Sequence, residues 1–167
     1  MEFTLRDFQP EDFEALWAID QKCFVSGIAY TQRELSAYMR RPGAFTIVAD
    51  KPSGDPSGEK GPGSVVTAGF IVAESNRRQV GHIITIDVLA QHRRSGLGSK
   101  LLLAAEERLR AMECGSVRLE VAVNNLSALA FYKRHHYDIV GTIPRYYPGG
   151  LNAFVLQKDL KPIQKTA

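Results

Sequence analysis

The sequence predicts an α/β protein, an α+β mixed sheet with helices on both faces. Two observations predict it. Alternating and β-branched apolar runs mark seven strands, while apolar spacings of three and four mark four helices. These follow in the order strand, helix, helix, strand, strand, strand, helix, strand, helix, strand, strand, so helices alternate with strands and must be layered on a sheet. At 167 residues the chain is long enough for one real core. No internal repeat is present, so one domain over 1–160 with a tail at 161–167 is expected.

Phe3 and Leu5 alternate with polar residues as a first strand. Pro10 suits the first turn of a helix that runs through Phe13, Leu16 and Trp17 to about Phe24. Thr31 and Glu34 form a capping box that opens a second helix. Ala44 to Ala49 and Val65 to Ala73 read as a hairpin. Between them Asp50 to Ser64 is rich in Gly, Pro, Ser and Lys and reads as a flexible loop (50–64). His82 to Leu89 is a buried strand, and Ser99 to Leu109 is an amphipathic helix ended by Gly115 at its C′ position. Val117 to Val123 is a strand, and Asn124 can cap a helix reaching Arg134. Tyr137 to Gly141 and Asn152 to Leu160 supply the last two strands.

Composition excludes several classes. A hydrophobic content of 44% and a charged content of 23% are those of an ordinary globular protein. The net charge of +3 is too mild for a nucleic-acid binder. No apolar run is long enough to span a membrane. Glu2, Arg6 and Asp7 fall where a signal peptide needs an apolar stretch, so a cytoplasmic protein is expected. Cys23 and Cys114 are too few for a disulfide framework and read as reduced. His92, His135 and His136 show no metal-ligand spacing, so no metal site is expected.

The segment Arg93-Arg94-Ser95-Gly96-Leu97-Gly98-Ser99 joins a buried strand to a helix. Unpaired N–H groups and a positive dipole end make that helix start an anion site. Gly96 and Gly98 admit a phosphate to the backbone, and Arg93 and Arg94 add charge that a helix N-terminus would otherwise disfavour. A pyrophosphate-bearing cofactor is therefore expected. The phosphate-loop pattern ending in Gly-Lys-Ser or Gly-Lys-Thr is absent. A dinucleotide fingerprint is an alternative, with Glu120 at a ribose-binding distance, but Leu101 stands where its third small residue belongs.

Gln/Arg-x-x-Gly-x-Gly/Ala between a strand and a long helix resembles the acetyl-coenzyme A loop of the GNAT superfamily of N-acetyltransferases. Leu119-Glu120-Val121 with Asn125, then Ala130-Phe131-Tyr132, Tyr146-Tyr147 and Ala153 to Leu160, follow in the order of the N-terminal protein acetyltransferase branch, which includes the ribosomal-protein alanine enzymes. The resemblance runs from Phe3 to Leu160. It implies a GNAT-like, about seven-stranded, mixed and mostly antiparallel sheet flanked by about four helices. Its central strands would splay to admit the cofactor arm of acetyl-CoA.

Acetyl transfer to an amine needs a proton acceptor, stabilisation of the thioester oxygen and a donor for the thiolate. Glu120, a carboxylate in an apolar strand, is the candidate base, its alternative being an outward or ion-paired residue. The resemblance places the base there. Tyr132 is the candidate acid and a thioester contact, its alternative being a half-buried helical tyrosine. The resemblance gives Asn125 the pantetheine arm, the alternative being a cap, and gives a backbone N–H at Ile86 to Val88 the thioester oxygen, where the family strand bulges. His82 is a second base candidate or a surface residue. Asp87, unlike the small or apolar residue usual in the family, would attract an ammonium or face solvent. Phe24, Ile28 and Tyr30 would wall one side of the acceptor, and Tyr146 and Tyr147 the other, with core packing the alternative.

Three departures bear on the acceptor. Pro148 to Asn152 lacks the acids that usually follow the paired tyrosines, Ala122 replaces an arginine, and His136-Tyr137 replaces Gly-Phe. The expected activity is direct acetyl transfer to an amine, most simply a protein N-terminal α-amine, by a monomer or homodimer. The alternatives are an enzyme for small-molecule amines or lysine, and a non-catalytic acetyl-CoA-sensing module.

Overall fold

Seven strands form one sheet in the order β1-β2-β3-β4-β5-β7-β6. They are β1 (Thr4–Asp7), β2 (Ala44–Pro52), β3 (Val65–Ser75), β4 (Val80–Val88), β5 (Ser116–Ala122), β6 (Asp138–Ile143) and β7 (Ala153–Asp159). The computed structural model describes residues 2–24, 28–54, 61 and 63–161. The tail expected at 161–167 therefore lies outside the described residues beyond Lys161. All neighbouring strands are antiparallel except β4 and β5, which are parallel. This is the mixed, mostly antiparallel sheet expected.

The parallel pair is what shapes the molecule. β4 and β5 pair only from Val80 to His82 with Ser116 to Arg118. Beyond that point β4 stays on β3 and β5 stays on β7, so a wedge opens between them. Val72 faces Thr85 while Ala73 faces Ile83, which leaves Ile84 as the extra residue of a β-bulge. The bulge expected at Ile86 to Val88 thus lies at Ile84. It falls where β4 leaves β5 and must bend. It also switches faces: Ile83 packs in one core, Ile84 against the other, and Ile86 and Val88 against the first again.

Helices α1 (Phe13–Cys23) and α2 (Gln32–Met39) cover one face, burying Leu16, Ile19 and Leu35 on Val48, Phe70 and Val72. Helices α3 (Leu97–Ala111) and α4 (Leu126–Arg134) belong to the opposite core, where Leu101, Leu102, Ala105 and Leu109 form the buried stripe of α3. The Thr31–Glu34 capping box is present in full. Asn125, not Asn124, caps α4, because its side chain accepts the Ala128 N–H at 3.1 Å. α3 does not end on Gly115. Glu113 takes the left-handed turn at φ +66°, and Cys114 N–H reaches back to the Leu109 carbonyl in a Schellman closure. His136 does the same for α4 at φ +70°.

The loop expected at 50–64 begins later than its composition suggests. Asp50, Lys51 and Pro52 belong to β2, pairing with Thr67, Val66 and Val65. Asp50 is buried and accepts from Arg6 Nε at 2.6 Å, while Arg6 also grips Asp12. This clasp ties β1 to β2 and to the start of α1. Asp50→Ala should lower unfolding stability by about 1–3 kcal/mol in urea, since it strips Arg6 of a buried partner. Joining Gly54 to Gly63 directly spares the clasp and should change stability by less than about 0.5 kcal/mol.

Candidate active site

The wedge between β4 and β5 forms a cleft of about 590 Å³. Glu120 enters it because alternation along β5 sends Leu119 and Val121 into the core and Glu120 to the other side. It meets His82, the last β4 residue paired to β5: His82 Nε2 and Glu120 Oε2 are 2.7 Å apart. His82 Nδ1 lies 3.6 Å from Glu74 on β3, which also binds Arg41. Burial opposes protonation of His82. The hydrogen bond and negative charge of Glu120, with Glu74 behind it, outweigh burial and raise the imidazole above its ordinary range. The two base candidates are therefore one hydrogen-bonded unit.

Tyr30, Tyr38, Tyr146 and Tyr147 also line this cleft, with Phe24 and Ile28. Tyr30 is fixed by its main chain: Asp20 accepts its N–H at 2.8 Å, and its carbonyl accepts from Trp17 and Gln21. Tyr146 and Tyr147 meet edge to face at 4.9 Å. Burial, and then the charge of Glu120, push both phenols up to about 12. They stay neutral hydrogen-bonding groups over the physiological range.

A second cleft of about 1030 Å³ lies along the start of α3 and one face of α4. It is lined by Ile86, Val88, Arg93, Arg94, Gly96, Gly98, Ser99, Asn125 and Tyr132 among the residues singled out by sequence. Ser95 and Leu97 do not line it. The Leu97 side chain is in the core, and the Ser95 hydroxyl donates to the His92 carbonyl. Both can serve only through main-chain groups. Ser127 and Arg134 were missed by sequence reasoning, and Ala130 and Phe131 were named only as neighbours of Tyr132 in a motif; the four form a stripe at i, i+3, i+4 and i+7 of α4. Their spacing was legible, but which face of α4 meets a ligand was not. Cys23 was missed too, as were Tyr38, Asn124 and Leu151 in the first cleft.

The two clefts share Phe24, Ile86, Asn125, Ala128 and Tyr132. Tyr132 is held by edge-to-face contacts with Phe131 at 5.1 Å and Tyr137 at 5.4 Å. Burial raises its phenol well above the ordinary value. Asp87, expected to attract an ammonium or face solvent, does not face solvent: it is a fully buried residue of β4.

The sequence model of the "Acetyltransferase (GNAT) family" matches residues 13–137. The chain belongs to the GNAT acetyltransferase family. Among curated relatives, an N-alpha-acetyltransferase of Sulfurisphaera tokodaii is 35% identical over 81 residues, covering 48% of each chain. The N-alpha-acetyltransferase daf-31 of Caenorhabditis elegans is 35% identical over 82 residues, 48% of this chain and 45% of that one. The matches span about half the length of these relatives. Ard1 from Thermoplasma volcanium superposes with a TM-score of 0.80 at 29% identity, covering 96% of this chain and 99% of that one. Arabidopsis thaliana NAA60, solved in complex with acetyl-CoA, superposes at 0.78 with 17% identity over 95% and 99%, which establishes likeness of fold.

GNAT enzymes take their acetyl group from acetyl-CoA, and the residues present fit it. No side chain caps α3 and its first turn carries no acid, so the first N–H groups and the dipole are left for an anion. Gly96 stands at φ +83° with open space where a Cβ would point. A Cβ on Gly98 would touch the Phe131 ring at 3.5 Å, an ordinary contact, but a larger group there would fill the cleft. Gly98→Trp should weaken acetyl-CoA binding at least tenfold by calorimetry, while Gly98→Ala stays within a few-fold. Equal binding by Gly98→Trp and wild type would refute the loop assignment. NAD should show no comparable binding.

Among the described residues no helix is long and apolar enough to cross a membrane.

Proposed function

We propose that this chain transfers an acetyl group from acetyl-CoA directly to a protein N-terminal α-amine. One observation carries this: a cleft that fits the cofactor and a cleft holding Glu120 meet at Tyr132 and Asn125. The relatives named N-alpha-acetyltransferase support the choice of acceptor. So does chemistry. An α-amine has a pKa of about 7.7–8.0 against about 10.4 for lysine, so one carboxylate is enough to deprotonate it near neutral pH.

Acetyl-CoA supplies an acyl group already activated as a thioester. Glu120 takes the amine proton, directly or through one water, and His82, hydrogen-bonded to one of its oxygens at 2.7 Å, orients the carboxylate. The N–H groups on the edge of β4 left without β5 beyond His82 are placed for the thioester oxygen. Tyr132 donates a hydrogen bond to the departing sulfur. Arg93, Arg94 and the start of α3 hold the pyrophosphate, and Asn125 holds the pantetheine arm. Phe24, Ile28, Tyr30, Tyr146 and Tyr147 hold the acceptor. A cytoplasmic location agrees with two unpaired cysteines, Cys23 and Cys114.

Peptides with free α-amines and varied first residues should be acetylated with higher kcat/KM than α-blocked lysine peptides or polyamines. Preference for either of the latter would overturn the choice of acceptor, and no turnover of any amine, with acetyl-CoA bound, would indicate a sensing module.

A further inference from the structure

On the strand that lines both clefts, and on the helix packed against it, lies a pair of acids that the chemistry above does not use. Asp20 projects from the last turns of α1, and Asp87 from β4; both are fully buried. Each has one oxygen accounted for. Asp20 Oδ2 accepts the Tyr30 N–H at 2.8 Å, and Asp87 Oδ1 accepts the Thr85 hydroxyl. The other oxygens, Asp20 Oδ1 and Asp87 Oδ2, are buried and find no donor among the described residues. The two carboxyls lie within hydrogen-bonding reach of one another. Two ionised carboxylates in that contact would repel without a donor between them. A single proton converts the contact into an O–H···O bond and satisfies both oxygens.

We propose that Asp20 and Asp87 share one proton at neutral pH, and that this proton latches the acceptor wall on α1 to the cofactor-lining strand β4. Asp20 holds the main chain of Tyr30, and α1 leads directly to Phe24; both line the acceptor cleft. Asp87 lies between Ile86 and Val88, which line the cofactor cleft. Cys23 reinforces the same seam by donating to the Val88 carbonyl at 3.4 Å. Both residues are positioning residues; neither lines either cleft. The shared proton sets their distance.

The surroundings favour holding the proton. Burial raises both carboxyls, Asp87 the more strongly; the charge of Asp20 raises Asp87 further, while the contacts with Asp87 and the Tyr30 N–H draw Asp20 back in part. Glu34 on α2 adds to burial on Asp20, and Arg93 after β4 acts against it on Asp87. Cys23, Tyr30 and Tyr132 are the other titratable groups facing the pair, and all three are pushed up and stay neutral. A carboxyl raised on folding takes up a proton that the unfolded chain lacks above about pH 4. Its contribution to stability therefore falls as pH rises from there to the folded pKa.

Asp87→Asn tests this, because its amide donates to Asp20 Oδ1 with no proton to lose. Infrared spectra of the free wild type at pH 7 should show the C=O stretch of a buried protonated carboxyl, absent from Asp87→Asn. The melting temperature of Asp87→Asn relative to wild type should climb as pH rises above about 5 and level off once the pair ionises. In wild type the acceptor-peptide KM should rise by up to about tenfold per pH unit once the pair ionises, with kcat changed less. In Asp87→Asn that alkaline rise should vanish. Asp20→Asn, whose amide keeps the Tyr30 contact, should behave alike and covers a failure of the first variant to fold. Absence of the infrared band, or a melting difference independent of pH, would overturn the shared proton. An alkaline KM rise unchanged in both variants would overturn the latch. The KM arm rests on the proposed acceptor. If the peptides are not substrates, that function fails while the infrared and melting arms still decide the proton.

Discussion

Glu120→Gln should reduce kcat/KM for an α-amine peptide by about 10²–10⁴-fold at pH 6.5. The side chain keeps its shape but loses its proton acceptor. The loss should shrink as pH passes about 8, where the amine deprotonates without help. Acetyl-CoA affinity should change little, because Glu120 lines only the acceptor cleft. His82 gives an independent readout. Its imidazole should titrate above about 6.5 in the wild type by NMR and move down in Glu120→Gln, where burial is left less opposed. The ion pair stabilises the fold fully below about pH 6.5 and is lost as pH rises through the raised folded value. The two residues are hydrogen-bonded, so their double mutant should cost less than the sum of the singles. Near-wild-type activity of Glu120→Gln across the pH range, beside an inactive His82→Ala, would move the base to His82.

Tyr132→Phe should lower kcat by about 10²-fold with no rescue at either end of the pH range. The phenol sits where the clefts meet, and its burial holds the proton far more firmly than a thiol of pKa about 8.5 does. Full transfer to sulfur is uphill, so the contribution is a charge-assisted hydrogen bond to the departing thiolate. Acetyl-CoA affinity should fall only modestly. Two controls separate chemistry from packing. Tyr132 packs on Phe131 and Tyr137, and phenylalanine preserves those ring contacts, so the melting temperature should stay close to wild type. A leaving group of lower pKa than coenzyme A should need the phenol less, shrinking the loss. An undiminished kcat would remove Tyr132 from the reaction.

The local features of this site were legible because they depend on neighbours in sequence. Arg93 to Gly98 announced a helix start, which has no side-chain cap and no acid in its first turn, and the Thr31–Glu34 box stands as read. Glu120 was conspicuous as an acid in an otherwise apolar run. What failed were positions decided at a distance. Asp50 looked like the start of a loop, yet Arg6, 44 residues away, makes it a buried strand residue. Gly115 looked like a helix stop, but its N–H goes to the Gln79 carbonyl 36 residues away and its carbonyl accepts from Leu160, while α3 closes earlier, on Glu113.

The order of strands and helices, the basic glycine loop and the acid–tyrosine spacing come from the sequence by itself, since periodicity and turn chemistry act over a few residues. Three things belong to the tertiary structure alone. The wedge exists because the short parallel pairing of β4 with β5 ends at His82. Through that geometry His82 and Glu120, 38 residues apart, become one hydrogen-bonded pair. Asp20 and Asp87, which sequence left as a helix residue and an acid that would attract an ammonium or face solvent, are both buried, and a bulge at Ile84 changes the face that Asp87 presents. Burial then gives each carboxyl a use it has nowhere in the unfolded chain. Desolvation and contact between distant segments exist only after the sheet has closed.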